Sequence, residues 1–172
     1  MCLKKLSFLT FLFLAFSCTN ERIKTTTDFK TKFENSNGFE TATYYETISF
    51  YKSLAAAYPQ ITIQEMGETD SGIPLHLVLF DSSGNTNLDN FTTKNVVLIM
   101  NGIHPGESDG IDASMLLLRD IVQSKEKIER LNNIVLGIIP IYNIGGSLNR
   151  NSTTRTNQNG PKEYGFRGNA QN

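Results

Sequence analysis

The segment NGIHPGESDG, residues 101–110, places one of the two histidines of the chain three positions before a glutamate. A catalytic zinc ion commonly takes three protein ligands, and two histidines with one glutamate are a known set. His104 and Glu107 could supply two of the three. Gly106 allows a sharp turn and Pro105 restricts the loop, so both side chains could converge on one point. The residue types therefore favour half of a zinc site.

The same spacing also fits an ordinary loop, because short motifs match by chance and many histidines have a glutamate nearby. The position of the loop favours the metal site. It follows the apolar run at 95–100 and precedes a helical pattern that Ser108 or Asp109 can cap. Such a loop at the carboxyl end of a parallel strand faces the crevice where these folds bind ligands. His76, in the alternating stretch LHLVLF, has the pattern of a strand residue, and we do not predict it as a ligand.

The composition indicates one globular domain, since the 172 residues carry a net charge of -1 and 39% of them are hydrophobic. This charge gives no indication of nucleic acid as a partner. A helix is predicted near 44–58, and short strands near 61–67 and 75–81. The later order of strand, loop, helix and strand, ending with the apolar run at 134–143, predicts an α/β fold with a mainly parallel sheet. Both apolar runs suit strands that are buried on both faces.

The N-terminus has the order of an export signal, because Lys4 and Lys5 precede an apolar run of 11 residues, 6–16. A membrane-spanning helix would need about 20. The stretch LAFSC resembles the lipobox of bacterial lipoproteins. That resemblance implies a signal peptide over 1–17, a lipid anchor on Cys18 and a place in the cell envelope, at the outer membrane or in the periplasm. Simple cleavage after Ser17 and a cytosolic protein with a buried N-terminal helix remain alternatives.

Residues 18–43 are polar and show neither a helical nor a strand period, so we predict a flexible tether there and a domain over 44–172. The last part of that domain, residues 144–172, is rich in Asn, Gly, Arg and Thr and has no apolar period. Stretches longer than about 12 to 15 residues without structure are uncommon inside a domain, and they are usually functional or disordered.

The loop NGIHPGESDGIDASMLLLRDI, the strand IVLGIIPIYNIGG and the tail NRNSTTRTNQNGPKEYGFRGNAQN together resemble the zinc carboxypeptidase family, in a secreted bacterial branch. The resemblance implies Zn²⁺ held by His104 and Glu107, a peptide substrate, and an arginine that polarises the scissile carbonyl. Arg155 is the first match for that arginine and Arg150 the second. Residues 143–146, Asn-Ile-Gly-Gly, stand where the family has an Asn-Pro-Asp-Gly-like turn, so the Pro and the Asp are missing.

The resemblance further implies only the N-terminal part of a carboxypeptidase-like fold. In the family an Asp-x-Asn-Arg stretch, a third zinc ligand and a glutamate base follow such a tail, and this chain contains none of them. We therefore expect weak zinc binding, no turnover, and a marginally stable chain with exposed strand edges. The alternatives are a zinc deacylase of the amino-acid type, a non-catalytic surface lipoprotein that binds peptide or glycan, and a gene fragment without a function of its own.

Overall fold

A computed structural model describes residues 28–87, 93–154 and 159–171 of the chain. These residues form a sheet with helices packed against it. The elements in chain order are α1 (Lys32–Asn35), α2 (Tyr44–Ala57), β1 (Ile61–Glu68), β2 (Pro74–Asp81), β3 (Asn95–Met100), α3 (Asp109–Val122), α4 (Lys125–Arg130), β4 (Ile134–Ile139) and α5 (Ile144–Leu148). Over these ranges, no helix has the length and apolar character needed to cross a bilayer.

The four strands form one mixed sheet in the order β1-β2-β4-β3. The predicted crossover unit is confirmed, because β3 and β4 pair in parallel with α3 between them in the chain, Asn95 lying opposite Ile134. The predicted α/β fold with a mixed sheet and flanking helices is confirmed, but parallel pairing is the minority in the described residues, since β1 with β2 and β2 with β4 are antiparallel. A short turn joins β1 to β2, and a connection of that length forms a hairpin, which makes its strands antiparallel.

The core lies between the sheet and the two long helices. Tyr51 and Leu54 of α2 and Leu118 of α3 are 0% exposed, and they belong to one apolar cluster with Val78 and Ile138 of the sheet. Val78 and Ile138 lie opposite each other in the β2–β4 ladder, so their side chains share a face of the sheet. Both helices therefore cover the same face, and the His104 loop leads from the sheet into one of them.

Strand β3 differs from the predicted doubly buried strand. Val96, Leu98 and Met100 are 58%, 59% and 48% exposed. In the described part of the chain β3 is an edge strand with β4 as its neighbour. An apolar run predicts a strand, but it does not tell how many neighbours cover that strand. Strand β4 does lie between two neighbours, and Val135 and Ile138 in it are 0% exposed.

Residues 28–43 belong to the folded domain and are not a flexible tether as predicted. Phe29, Thr31 and Ala42 are between 2% and 8% exposed. The ring of Phe29 lies 5.9 Å from that of Tyr58, and Arg119 on α3 donates a 3.0 Å hydrogen bond to the carbonyl of Phe29. The polar composition concealed this packing, because single apolar residues without a period give no helix or strand signal. The predicted signal peptide, Cys18 and the tether up to residue 27 lie outside the described residues.

Candidate metal-binding loop

The start of the loop is fixed by buried polar contacts. Asn101 is 6% exposed, and its side-chain amide donates a 2.9 Å hydrogen bond to the hydroxyl of Ser114 on α3. Its backbone carbonyl accepts from the amide of Tyr142 at 2.8 Å. Gly102 follows with a φ of +62°, a value that favours glycine. The loop is thus attached to both β4 and α3 before it reaches His104.

His104 and Glu107 lie on a single tight turn. The amide of Glu107 donates a 2.8 Å hydrogen bond to the carbonyl of His104. Between them Pro105 and Gly106 are buried, while Glu107 is exposed and His104 is partly exposed. Helix α3 begins two residues after Glu107, at Asp109. The turn therefore brings the backbones of both predicted ligands together at the outlet of β3, as the sequence led us to expect.

The imidazole of His104 fits a metal ligand. Its Nδ1 is buried and has no hydrogen-bond partner, although buried polar atoms in folded proteins are nearly always hydrogen bonded. A neutral imidazole nitrogen and a carboxylate are both ligands that zinc accepts. Across residues 28–87, 93–154 and 159–171 no cluster of three His, Cys, Asp or Glu residues could hold a metal ion. The turn therefore offers at most part of a zinc site.

His76 lies on β2, whereas the turn follows β3. It is 6% exposed, and its Nδ1 is 3.1 Å from the hydroxyl of Tyr44. The carboxylate of Glu65 is 3.8 Å from its other ring nitrogen. Burial lowers the pKa of His76, although the nearby Glu65 acts in the opposite direction. Like Nδ1 of His104, Nε2 of His76 is buried without a hydrogen-bond partner, but the other ring nitrogen of His76 is hydrogen bonded to a tyrosine, which is consistent with a residue of the fold, as its strand pattern predicted.

The C-terminal tail packs against the turn of His104 and Glu107. A cleft of about 290 Å³ lies between residues 106–109 and the tail, where it is lined by Asn159, Gly160, Pro161 and Tyr164. Tyr164 is 5% exposed, and its hydroxyl donates a 2.9 Å hydrogen bond to the carbonyl of Ser152. A methyl group on Gly165 would lie 2.6 Å from Cβ of Pro105. Residues 159–165 of the tail, which showed no apolar period, therefore form a wall beside Glu107.

Arg155 lies outside the described residues, between Thr154 and Asn159, which are described. The hydroxyl of Thr154 donates to the carbonyl of Gly165 at 3.2 Å. The residues that flank the Arg155 segment thus lie on the wall next to the turn.

Arg150 acts as a structural clamp. Its guanidinium donates to the backbone carbonyls of Thr41, Ala42 and Glu163 at 3.3, 3.4 and 2.8 Å. Burial lowers its pKa, while nearby carboxylates, Asp112 among them, raise it. Asp112, buried on α3, accepts hydrogen bonds from the hydroxyl of Thr41 and the amide of Ala42. Sequence patterns did not reveal this clamp, because its partners are backbone carbonyls, and two of the three, those of Thr41 and Ala42, are 109 and 108 residues away.

The side chain of Asn143 forms hydrogen bonds that hold residues 143–146, the turn that differs from the family pattern. Its side-chain oxygen accepts from the amide of Gly146 at 2.9 Å, and its side-chain amide donates to the carbonyls of Arg167 and Gly168. A methyl group on Gly145 would lie 2.6 Å from the amide nitrogen of Ala170. Ile144 thus stands in place of the missing Pro, and Gly145, in place of the missing Asp, lets the tail approach. An Asn three positions before a Gly is the only signal in the sequence that could have indicated this capping contact.

Comparison with known proteins agrees with the resemblance seen in the sequence. A sequence model described as zinc carboxypeptidase matches residues 47–171. No match is found among curated protein sequences. The carboxypeptidase A of Helicoverpa armigera superposes with a TM-score of 0.54 at 21% identity, over 62% of this chain and 25% of that one.

Two further solved structures share the fold at a similar level. Bovine thrombin-activatable fibrinolysis inhibitor, in complex with tick carboxypeptidase inhibitor, superposes with a TM-score of 0.52 at 19% identity, over 62% of this chain and 32% of that one. A protein of Shewanella denitrificans OS-217 assigned as a carboxypeptidase A gives 0.51 at 22% identity, over 63% of this chain and 28% of that one. The matched region therefore spans about a quarter to a third of these proteins.

Proposed function

The chain belongs to the zinc carboxypeptidase family, and from this premise we propose that it carries part of the zinc site of an enzyme that hydrolyses C-terminal peptide bonds. His104 and Glu107 are the proposed ligands. The observation that carries the proposal is the buried Nδ1 of His104, which has no hydrogen-bond partner at the point where the family would place a metal ligand. A buried nitrogen without a partner is costly unless a ligand satisfies it.

The residues of this chain would have separate roles in such a reaction. When bound, zinc supplies Lewis-acid polarisation and a water nucleophile. His104 and Glu107 would hold the ion at the turn, and the contacts of Asn101 fix the start of that turn. The tail around Tyr164 covers one side of Glu107. Arg155 is the proposed donor to the developing oxyanion, because a guanidinium is always charged and presents a fixed fork of N–H groups.

Two ligands leave half of a four-coordinate zinc sphere to water, so we propose that the 172-residue chain binds zinc weakly. The test is zinc titration of the purified chain by isothermal calorimetry. His104→Ala and Glu107→Gln should each weaken the affinity by about tenfold or more, because loss of even an outer-shell partner of a ligand costs about 10- to 100-fold. His76→Ala is the matched control and should leave the affinity unchanged. Equal zinc affinity in the His104→Ala variant and the parent chain would refute the role of the turn.

We propose further that this chain alone does not turn over peptide, because its described residues supply neither a third ligand nor an assigned general base. The measurement is release of the C-terminal residue from a blocked dipeptide in the presence of zinc. The expected rate equals that of zinc in buffer. Turnover that disappears in the His104→Ala variant would contradict this, and it would show that the residues present suffice for catalysis.

We propose a lipid anchor on Cys18, supported by the order of basic, apolar and small residues before it. Metabolic labelling with a palmitate analogue in a bacterial host tests it. Cys18→Ser should lose the label and appear in the soluble fraction of the envelope. Cys2→Ser is the matched control, since Cys2 lies within the predicted signal peptide, and it should keep the label. An unlabelled parent protein would exclude the anchor.

A further inference from the structure

A second cleft lies between the β1–β2 turn and the tail, and we name it the hairpin cleft. Its volume is about 650 Å³, within the range of about 300 to 1,000 Å³ that ligand sites usually have. Its apolar lining residues are Met66, Leu75, Ile103 and Tyr142, and its charged ones are Glu68, Asp70 and Arg167. Ile103 directly precedes His104, so the hairpin cleft adjoins the proposed zinc ligands along the chain.

One side of the hairpin cleft is formed by a β-bulge. The register of the β1–β2 ladder pairs Glu65 with His76 and Glu68 with Pro74, so β1 has one extra residue between them. Gly67 within the bulge has a φ of +118°, which side chains rarely adopt. Met66 beside it is 50% exposed and lines the cleft. Bulges of this kind re-aim side chains, and they are frequent next to binding sites.

The opposite side is a wall that the tail forms. The amide of Ala170 donates to the carboxylate of Asp70 at 3.2 Å, and the carbonyl of Gly168 accepts from Asn143 at 2.9 Å. Methyl groups on Gly145 or Gly146 would approach tail atoms to 2.6 and 2.4 Å. Polar contacts therefore hold both ends of the wall. Gly145 and Gly146 let the wall lie this close because they carry no side chain.

The residues that line the hairpin cleft suit a ligand that carries an apolar group next to a basic group. Met66, Ile103 and Tyr142 are 50%, 51% and 47% exposed although they line a concavity. At the rim two carboxylates, Glu68 and Asp70, oppose one guanidinium, Arg167. This rim has an excess of negative charge, which attracts cationic ligands.

We propose that the hairpin cleft binds a peptide, with an aromatic or aliphatic side chain against Met66, Ile103 and Tyr142 and a lysine or arginine of the peptide near the carboxylates of Glu68 and Asp70. The choice of a peptide as ligand rests on the proposed function. The cleft would then select among peptide substrates by residues other than the one released.

The test uses the 172-residue chain in EDTA and a fluorescein-labelled, acetylated and amidated peptide Gly-Ala-Phe-Lys-Ala-Gly, with fluorescence anisotropy as the measurement. The peptide should bind about tenfold more tightly than versions with serine for phenylalanine or glutamate for lysine. Tyr142→Ser should reduce the affinity by a similar factor. Leu117→Ser is the matched control, because Leu117 is 44% exposed on α3 and does not line the cleft, and it should bind as the parent does.

Gly145→Ala gives a second arm, since its methyl group would displace the wall. It should also weaken binding. Equal affinity for the three peptides, or full affinity in the Tyr142→Ser variant, would overturn the proposal. If peptide binding fails while zinc binding still depends on His104, the hairpin cleft is refuted and the zinc site stands. If the peptide binds selectively while zinc binding does not depend on His104, the hairpin cleft is supported. The chain is then a non-catalytic peptide-binding protein and not part of the proposed enzyme.

Discussion

The guanidinium of Arg150 donates a hydrogen bond of 3.3 Å to the backbone carbonyl of Thr41, 109 residues away in the sequence. The hydroxyl of the same Thr41 donates to the carboxylate of Asp112 on α3. Residues 41–42 are thus held between the helix that follows the turn of His104 and Glu107 and the loop that leads to Arg155. This arrangement links the N-terminal segment to both parts of the candidate site.

Arg150→Ala should lower the free energy of unfolding by about 2 to 3 kcal/mol, because hydrogen bonds from a charged donor contribute about 1.5 to 3 kcal/mol. Urea unfolding followed by circular dichroism measures it. Arg130→Ala is the control, since Arg130 and its partner Glu126 are 76% and 71% exposed, and it should cost about 0.5 kcal/mol or less. Equal effects of the two substitutions would show that Arg150 is not a clamp.

Asp112 should make stability depend on pH. Burial raises the pKa of its carboxyl above the ordinary value, despite the lowering effects of the Thr41 hydroxyl and the Ala42 amide. The folded chain therefore binds a proton at Asp112 more readily than the unfolded chain does. The stability that this proton contributes is fully present below the unfolded pKa of about 3.9. It is lost as the pH rises through the folded pKa.

The comparison with Asp112→Asn isolates this effect, since asparagine does not titrate. The unfolding free energy of the parent minus that of the variant should fall as the pH rises from about 4 toward neutrality, and then level off. Carboxylates with lowered pKa values, such as Glu34 and Asp81, are the same in both proteins and cancel in this difference. A difference that grows with pH would show that the charged form of Asp112 is the one the fold prefers.

Gly146→Ala should disrupt the packing of the tail. The added methyl group would lie 2.4 Å from the carbonyl oxygens of Phe166 and Gly168, and overpacking of this kind costs about 1 to 3 kcal/mol. Amide hydrogen exchange of residues 164–170 should become faster. Gly160→Ala is the control, because its nearest atoms, in the ring of Tyr164, would be 3.9 Å away. Faster exchange in both variants, or in neither, would contradict the proposed role of the close approach.

The sequence predicted the parts of the fold that rest on apolar patterns. The β3–α3–β4 crossover and the position of the His104 turn follow from two apolar runs with a helical period between them. The tail has no such pattern, because it is held by backbone groups. The amide of Phe166 donates to Gly146, and that of Lys162 donates to Phe39, each at 2.8 Å. Such contacts involve no particular side chain, so no residue type signals them.

The exposed face of β3 should promote association of the chain. Val96, Leu98 and Met100 alternate along the strand and are about half exposed, and a long apolar edge without a charge or a proline is prone to pair with other chains. Val96→Lys should slow aggregation several-fold, as measured by light scattering during incubation at about 37 °C. Its effect on the unfolding free energy should be small, because Val96 is 58% exposed.

Val135→Lys provides the matched comparison, since Val135 lies opposite Val96 in the β3–β4 ladder and is 0% exposed. A lysine at this fully buried position should unfold the chain and accelerate aggregation, because the carboxylate opposite it in the β2–β4 ladder, Asp81, is already paired with Lys94. If Val96→Lys aggregates as fast as the parent, association does not proceed through the β3 edge. Slower aggregation at unchanged stability would show that this edge is the part of the sheet which needs a covering partner.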